Sequence, residues 1–528
     1  MGALLFSISG TAYGHEEPTP ERMSCTSITV GRKASADGSV MTSHTCDGNY
    51  RTWMDVVPAR TLGADTTVIA EVYRGRMHTD HSTGARGMRL VGTVPQPGDS
   101  YRFLNTAYPC LNEKQLGIGE TTIGGRQELR NPKGMFTIEE LERLALQQCS
   151  TARQAIAFIG DLIKRYGYGD DGECITIADP KEVWQMEIFG EGPDSIGGVW
   201  AAVRIPDDEV GVSANISRIS KIDTANKDYC MASDNVRDVA LRMGLWDGKE
   251  PFRFWKAYSG CNYFNEPKNF SIREYFIFKK LVPDLKINYD DEELPFSIKP
   301  AHKVSLADMN ELLAETYEGT EWDKTRNLLV ERKDRKTGAT DTIVSPYANP
   351  WMTRDMAALL NALKPDVVDN VRTVSVPQCS YSTVIQLRDW LPDAVGGVAW
   401  IALDNPGQSP RIPIFSGTTV LPDSYAVDGQ LRYDENAAVW NFRRANKLAT
   451  VKWDETRGDI EKARRHFVKK GVEEMPFVEK RYNEILAAEG QEAAEEFLTG
   501  YTADFAGAAG MKWKELGNKF WSKFARAF

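Results

Sequence analysis

MSCTSITVGRKASADGSV, residues 23–40, is the stretch on which the fold of this chain turns. The run CTSITVGR alternates as a strand does, ASADG reads as a turn, and GSVMTSHT returns as a second strand. The pattern predicts a β-hairpin in which Asp37-Gly38 supplies the positive-φ position. Cys25 opens its first strand. A cysteine at the first position of a mature chain carries a nucleophilic sulfur together with its own α-amine, so one residue supplies both nucleophile and base. Such an amine has a reference pKa of about 7.7–8 and is partly neutral near pH 7, so no histidine base is required. A buried structural thiol is the competing reading of any single cysteine.

Working outward, Asp47 ends the returning strand, where hairpin geometry brings it towards Cys25 to orient the amine. Asp47-Gly48 reads equally as a turn pair. A thiolate attacking a carbonyl also needs donors for the oxyanion, and side-chain amides at strand ends can serve. Asn112 in CLNEKQLGIGETTIGGR and Asn215 in VSANISRI are candidates for that role, or turn residues. The chain has six histidines, none in a papain- or caspase-type signature. Its eight cysteines (25, 46, 110, 149, 174, 230, 261 and 379) form no CxxC and no cluster, which argues against a zinc site and a small disulfide framework.

With 528 residues, 42% of them apolar, the chain can bury a large core. A net charge of −10 leaves no basic footprint for nucleic acid. No run of about 18 apolar residues is present to span a bilayer. MGALLFSISGTAYG has the apolar core of a secretory signal without a basic residue before it, and HEEPTPERMS follows as a polar spacer. Residues 1–24 are therefore expected to be a leader, with export to the periplasm or outside the cell; a cytoplasmic location is the alternative. Lipidation of Cys25 would need an adjoining apolar run, which ERMS does not provide.

Strand patterns recur at 66–73, 116–125, 174–180, 183–190, 198–205 and 210–216, then at 373–376, 382–387, 397–403 and 411–415. Residues 137–149 and 151–167 show helical spacing, the first with Thr137 as N-cap and Glu140 three residues on. An irregular insert over about 230–365 holds helix candidates at 233–244, 304–317 and 353–363. The expected organisation is a domain over 25–430 with that insert, followed by a helical extension over 431–528. In the last stretch, MKWKELGNKFWSKFARAF, Trp513, Leu516, Phe520, Phe524 and Phe528 share a face, with Lys512, Lys514, Lys519, Lys523 and Arg526 around it. That helix docks on its own domain or on a second subunit, or lies on an anionic membrane.

The combination of MSCTSITVGRKASADGSV, the Asp47 of SHTCDG, LNEKQLGIGETTIGGR and SANISRI, in this order, resembles the C69 family of dipeptidases. These are N-terminal nucleophile (Ntn) hydrolases related to penicillin V acylases and bile salt hydrolases. The resemblance implies an α+β fold, a four-layer αββα sandwich with two antiparallel sheets, plus the helical C-terminal extension. It implies that Cys25 is freed by cleavage of bond 24–25 and acts as nucleophile through a thioester, and that Asp47 holds its α-amine. Asn215 gives an amide to the oxyanion, and Asn112 is a second donor or positions the scissile amide. Relatives often carry Arg three residues before the Asp; here His44 stands there, as a pH-dependent donor near the thiolate or a structural residue. Dipeptide substrates need anchors for an amine and a carboxylate, for which Glu120 and then Arg218 and Arg372 are the candidates; Glu120 reads equally as a strand residue. No metal or organic cofactor is implied, and a homo-oligomer is compatible with the aromatic tail. An N-acyl amide hydrolase with an apolar pocket, or an inactive Ntn-fold binding protein, are the rival readings.

Overall fold

The alternation of the Cys25 stretch becomes two strands, β1 (Ser27–Val30) and β2 (Val40–Asp47), paired at Val30 and Met41. Gly38 takes φ 88° in the turn between them, a left-handed conformation that favours glycine. The Asp37 carboxylate accepts from the hydroxyls of Ser35 and Ser39 and closes that turn. The computed structural model describes residues 24–63, 65–78, 88–260, 271–369 and 371–524. Residues 1–23 of the expected leader, Cys261, Arg526 and Phe528 lie outside the described residues.

Further strands follow as β3 (Asp55–Val57), β4 (Thr67–Arg74), β5 (Arg89–Pro97), β6 (Phe103–Asn105), β7 (Leu111–Asn112), β8 (Gly117–Thr122), β9 (Glu173–Ala178), β10 (Val183–Phe189) and β11 (Val199–Ile205). The remainder are β12 (Val210–Ser213), β13 (Cys230–Ala232), β14 (Ser297–Ile298), β15 (Leu329–Lys333), β16 (Thr340–Val344), β17 (Cys379–Leu387), β18 (Val398–Leu403) and β19 (Ile412–Phe415). Seven of them form one antiparallel sheet in the order β14-β12-β1-β2-β17-β18-β19, and eight form a second in the order β13-β11-β10-β9-β8-β7-β6-β3. The strands after the insert thus complete the sheet that Cys25 begins. β4 with β5, and β15 with β16, stand apart as two-stranded ribbons.

The two large sheets meet where β2 packs on β8 and β9. Glycines in the GIGETT strand make this approach possible. A Cβ on Gly119 would run into the Ser43 carbonyl, and one on Gly117 would lie 2.8 Å from Ile385. Hydroxyls bridge the interface: Thr176 Oγ1 is 2.9 Å from Ser27 Oγ and 2.6 Å from Thr42 Oγ1.

Helices cover the outer faces. α1 (Ile138–Gln148) and α2 (Ala152–Tyr166) lie on the second sheet, α2 against β9 and β10. Thr151 caps α2 by accepting from Gln154 N, but Thr137 makes no side-chain cap on α1. Asp170 accepts from Ile138 N in its place, and Glu140 pairs with Arg76 and Arg143. The insert carries α3 (Val236–Arg242), α4 (Phe254–Tyr258), α5 (Ile272–Leu281), α6 (Leu306–Leu313) and α7 (Arg354–Leu363). Ile28, Val212, Val384 and Trp400 of the first sheet share one apolar cluster with Ile277 and Phe278 of α5 and Met309 and Leu313 of α6.

Residues 373–376 do not form the expected strand. Arg372 donates to the carbonyls of Thr373 and Val374, Ser375 bonds Asn405, and Pro377 has no N–H to give a ladder, so pairing starts only at Cys379. After α8 (Asp393–Gly396), the C-terminal region is helical: α9 (Ala438–Ala449), α10 (Trp453–Glu489) and α11 (Gln491–Phe524). α11 packs on α9, α10 and β19, with Trp513, Leu516, Phe520 and Phe524 buried. The terminal aromatic face therefore docks on its own chain. Among the described residues no helix is long and apolar enough to cross a membrane.

Candidate functional site

Cys25 sits two residues before β1, buried against the ends of β2 and β12. Its backbone N–H donates to Asn215 Oδ1 at 3.0 Å, and its carbonyl accepts from Arg273 Nη1 at 2.7 Å. Asn215 follows β12 at φ 64°, a left-handed conformation that Asn tolerates better than most side chains. Two donors, Cys25 N and Arg273 Nη2, meet its side-chain oxygen, while its amide nitrogen donates to the Thr122 carbonyl at 2.6 Å. Partners on both sides fix the amide's orientation. The expected polarity of Asn215 is thus reversed: its oxygen holds the nitrogen of Cys25, and its amide donates to Thr122 instead of facing an oxyanion.

Asp47, at the end of β2, lies beside the same residues through its main chain and its carboxylate. Its carbonyl accepts from Ser24 N at 3.0 Å. Oδ2 takes Arg372 Nη2 at 2.7 Å and the Thr45 hydroxyl at 2.8 Å, while Oδ1 is buried with no partner. Thr45 accepts from Thr26 N in turn, tying the hairpin to the site. Arg372 reaches Ser24 as well, from Nε to Oγ at 2.8 Å and from Nη2 to the carbonyl at 3.2 Å.

His44 and Glu120 are both fully buried, with His44 Nε2 and Glu120 Oε2 3.3 Å apart. Cys25, His44 and Glu120 each offer one ligand atom, all within 4.8 Å of one another; among the described residues this is the group of His, Cys, Asp and Glu dense enough to hold a metal ion. Burial, and then the charges of Glu120, Cys46 and Asp47, raise the Cys25 thiol well above its ordinary range, against a lowering hydrogen bond with the Asp47 backbone. With Ser24 attached, the sulfur is a neutral thiol in a closed site. Arg273 is pushed down to about 9, first by burial and then by Arg372, and stays cationic at neutral pH.

Two expected residues stand elsewhere. The Asn112 amide donates to the carbonyls of Leu146 and Cys149 at the end of α1, and its oxygen takes Lys114 N and Leu116 N, so it organises a turn and offers the site no donor. Arg218 is buried, donates to the carbonyls of Leu294 and Pro295 and pairs with Glu274, so it is not placed to receive a carboxylate. A surface cavity of about 630 Å³ is lined by Glu71, Tyr73, Arg76 and Arg143 and touches none of the residues around Cys25.

Sequence reading missed Ser24, Thr45 and Arg273. Ser271 and Glu274 form a capping box that SIRE announces, so the helix carrying Arg273 was legible. The 248-residue reach from Arg273 back to Cys25 was not.

Comparison with known proteins defines the class of the chain as a peptide hydrolase. The model of peptidase family C69 matches residues 97–466, and the chain belongs to that family. A probable dipeptidase of Latilactobacillus sakei is 25% identical over 77% of this chain and 76% of its own length. One of Salmonella dublin is 27% identical over 75% and 81%, and a probable dipeptidase B of Lactococcus lactis subsp. lactis is 24% identical over 79% of each.

Proposed function

We propose that this chain is a cysteine-type dipeptidase of the Ntn kind, in which cleavage of bond 24–25 turns Cys25 into an N-terminal nucleophile. The observation that carries the proposal is the convergence on Cys25: Asn215 Oδ1 holds its nitrogen, Arg273 its carbonyl, and its sulfur lies beside His44 and Glu120. Two antiparallel sheets between helical layers, with Cys25 at the start of an inner strand, agree with an αββα sandwich. The dipeptidase names of the relatives support the substrate class.

In the mature chain the sulfur attacks the dipeptide carbonyl while the α-amine, held by Asn215, takes the thiol proton and passes it to the departing amine. Water then hydrolyses the thioester. Removal of Ser24 also opens the closed site, which lowers the desolvation that keeps the sulfur protonated. The leader reading extends the proposal to export.

Mass spectrometry of active protein tests it, with Cys25 expected as the first residue. Activity in a chain that retains residues before Cys25, or in Cys25→Ala, rejects it.

A further inference from the structure

Ser24 immediately precedes the thiol, and its three polar groups are all held. Its N–H donates to the Asp47 carbonyl at 3.0 Å, its carbonyl accepts from Arg372 Nη2 at 3.2 Å, and its hydroxyl accepts from Arg372 Nε at 2.8 Å. The residue is 3% exposed. When bond 24–25 breaks and Ser24 departs, this cradle empties. What remains is an acceptor on the main chain, a guanidinium edge, and the buried Asp47 Oδ1 that has no partner even before cleavage. These groups stay fixed in direction when Ser24 leaves, so an occupant that restores the bonds finds its donors and acceptor already in place.

We infer that the cradle is the subsite for the first residue of the substrate, and that Ser24 in the intact chain shows how that residue is held. The inference rests on Cys25 being the nucleophile. The same sulfur attacks the carbonyl of residue 24 during self-cleavage and the carbonyl of the dipeptide during turnover. In each case the Sγ–C bond forms as the C–N bond breaks, the thiol proton goes to the leaving nitrogen, and water splits the thioester to return a proton to sulfur. In each case negative charge gathers on the carbonyl oxygen, and Arg372 already stands at that oxygen in the intact chain.

The substrate's ammonium then takes the place of Ser24 N. It adds a positive charge beside the Asp47 carboxylate, whose Oδ2 shares Arg372 Nη2 with the Ser24 carbonyl. An N-acylated substrate keeps the first bond but loses that charge. Arg372 Nε, set at the position of the Ser24 hydroxyl, selects first residues with a short accepting side chain, Ser or Asp, and repels Lys.

The test uses the mature enzyme with Ser-Ala, Asp-Ala, Lys-Ala and N-acetyl-Ser-Ala, with kcat and KM measured separately. Acetylation is expected to lower kcat/KM roughly tenfold to a hundredfold, the scale of an interaction with a charged group. Lys-Ala is expected to fall by at least about tenfold on the same ground. Arg372→Gln is expected to lower kcat for Ser-Ala about a hundredfold, with partial recovery in Arg372→Lys, as for loss of one oxyanion donor. Leader removal should follow the same order, slower in Ser24→Lys than in Ser24→Asp, a readout that does not depend on any Arg372 variant folding. Equal rates for free and acetylated substrates, or processing indifferent to residue 24, overturn the subsite. If Cys25→Ala abolishes activity while those preferences are absent, the subsite alone is wrong; if Cys25→Ala stays active, the nucleophile is wrong.

Discussion

The surroundings of Cys25 and the layer beneath the C-terminal helices are both buried, and they are built of opposite materials. Around Cys25 the buried groups are Thr26, Ser27, Thr42, Ser43, Thr45, Asp47, Asn215 and Arg273. Under α9–α11 they are Phe442, Phe467, Phe505, Trp513 and Phe520, with the Trp513 ring 5.8 Å from Phe442 and 6.0 Å from Phe467. Apolar contact is non-directional and stabilises by area, so it holds a helix layer in place without dictating the angle of any one group. Hydrogen bonds at 2.7–3.0 Å fix direction, which the proposed nucleophile, its amine and a carbonyl require. One region gives stability, the other geometry.

Substitutions separate the two roles. Cys25→Ala is expected to reduce dipeptide hydrolysis by about 10⁴-fold or more while leaving the melting temperature nearly unchanged, measured by kinetics beside thermal unfolding. Trp513→Ala, which leaves a cavity under α11, is expected to cost about 3–5 kcal/mol of stability in denaturant titration without altering kcat of the folded fraction. A fall in kcat there would erase the distinction between the regions.

Thr45→Val sharpens the comparison, because it keeps the shape but removes the acceptor of Thr26 N and the donor to Asp47. The expected loss is about 1–3 kcal/mol of stability, the cost of buried groups left unpaired, together with a drop in kcat/KM. A stability loss with unchanged kinetics would show that the hairpin tie supports the fold and not the site.

The smallest effect concerns pH. Burial raises the Glu274 carboxyl from an ordinary 4.5 to about 7, against the pull of Arg218 and Arg273. The folded state then keeps a proton that the unfolded chain releases, so the associated stability is complete below about pH 4.5 and is lost as pH rises through about 7. Glu274→Gln should flatten the stability profile between pH 5 and 7, removing a slope of at most about 1.4 kcal/mol per pH unit. An unchanged profile would place the titration elsewhere.

Much of the fold was legible because strand alternation and helical spacing are local. β8–β12 and β17–β19 fall where the sequence places strands, and α1, α2, α3, α6 and α7 where it places helices. The failures have tertiary causes. Residues 373–376 alternate like a strand but are held by Arg372, Ser375 and Pro377. Thr137 has the chemistry of a cap, yet Asp170 supplies the bond. At the site, Cys25, Asp47, His44, Glu120, Asn215 and Arg372 come together, whereas Asn112 and Arg218 are occupied by carbonyls of their own neighbourhoods. An Asn or Arg in sequence does not say which carbonyl is nearest.

By itself the sequence determined the hairpin that presents Cys25, the alternating strands on both sides of the insert, and the apolar face of the last helix, because each depends on neighbours a few residues away. Only the tertiary structure decided that Arg273 and Arg372 turn inward to the residues flanking bond 24–25, that the Asn215 oxygen holds the Cys25 nitrogen, and that Asn112 serves a turn. The Arg273, Arg372 and Asn215 outcomes depend on which buried donor finds which acceptor across separations of some 190–350 residues, and no local pattern encodes that pairing; the Asn112 amide settles on carbonyls 34 and 37 residues away.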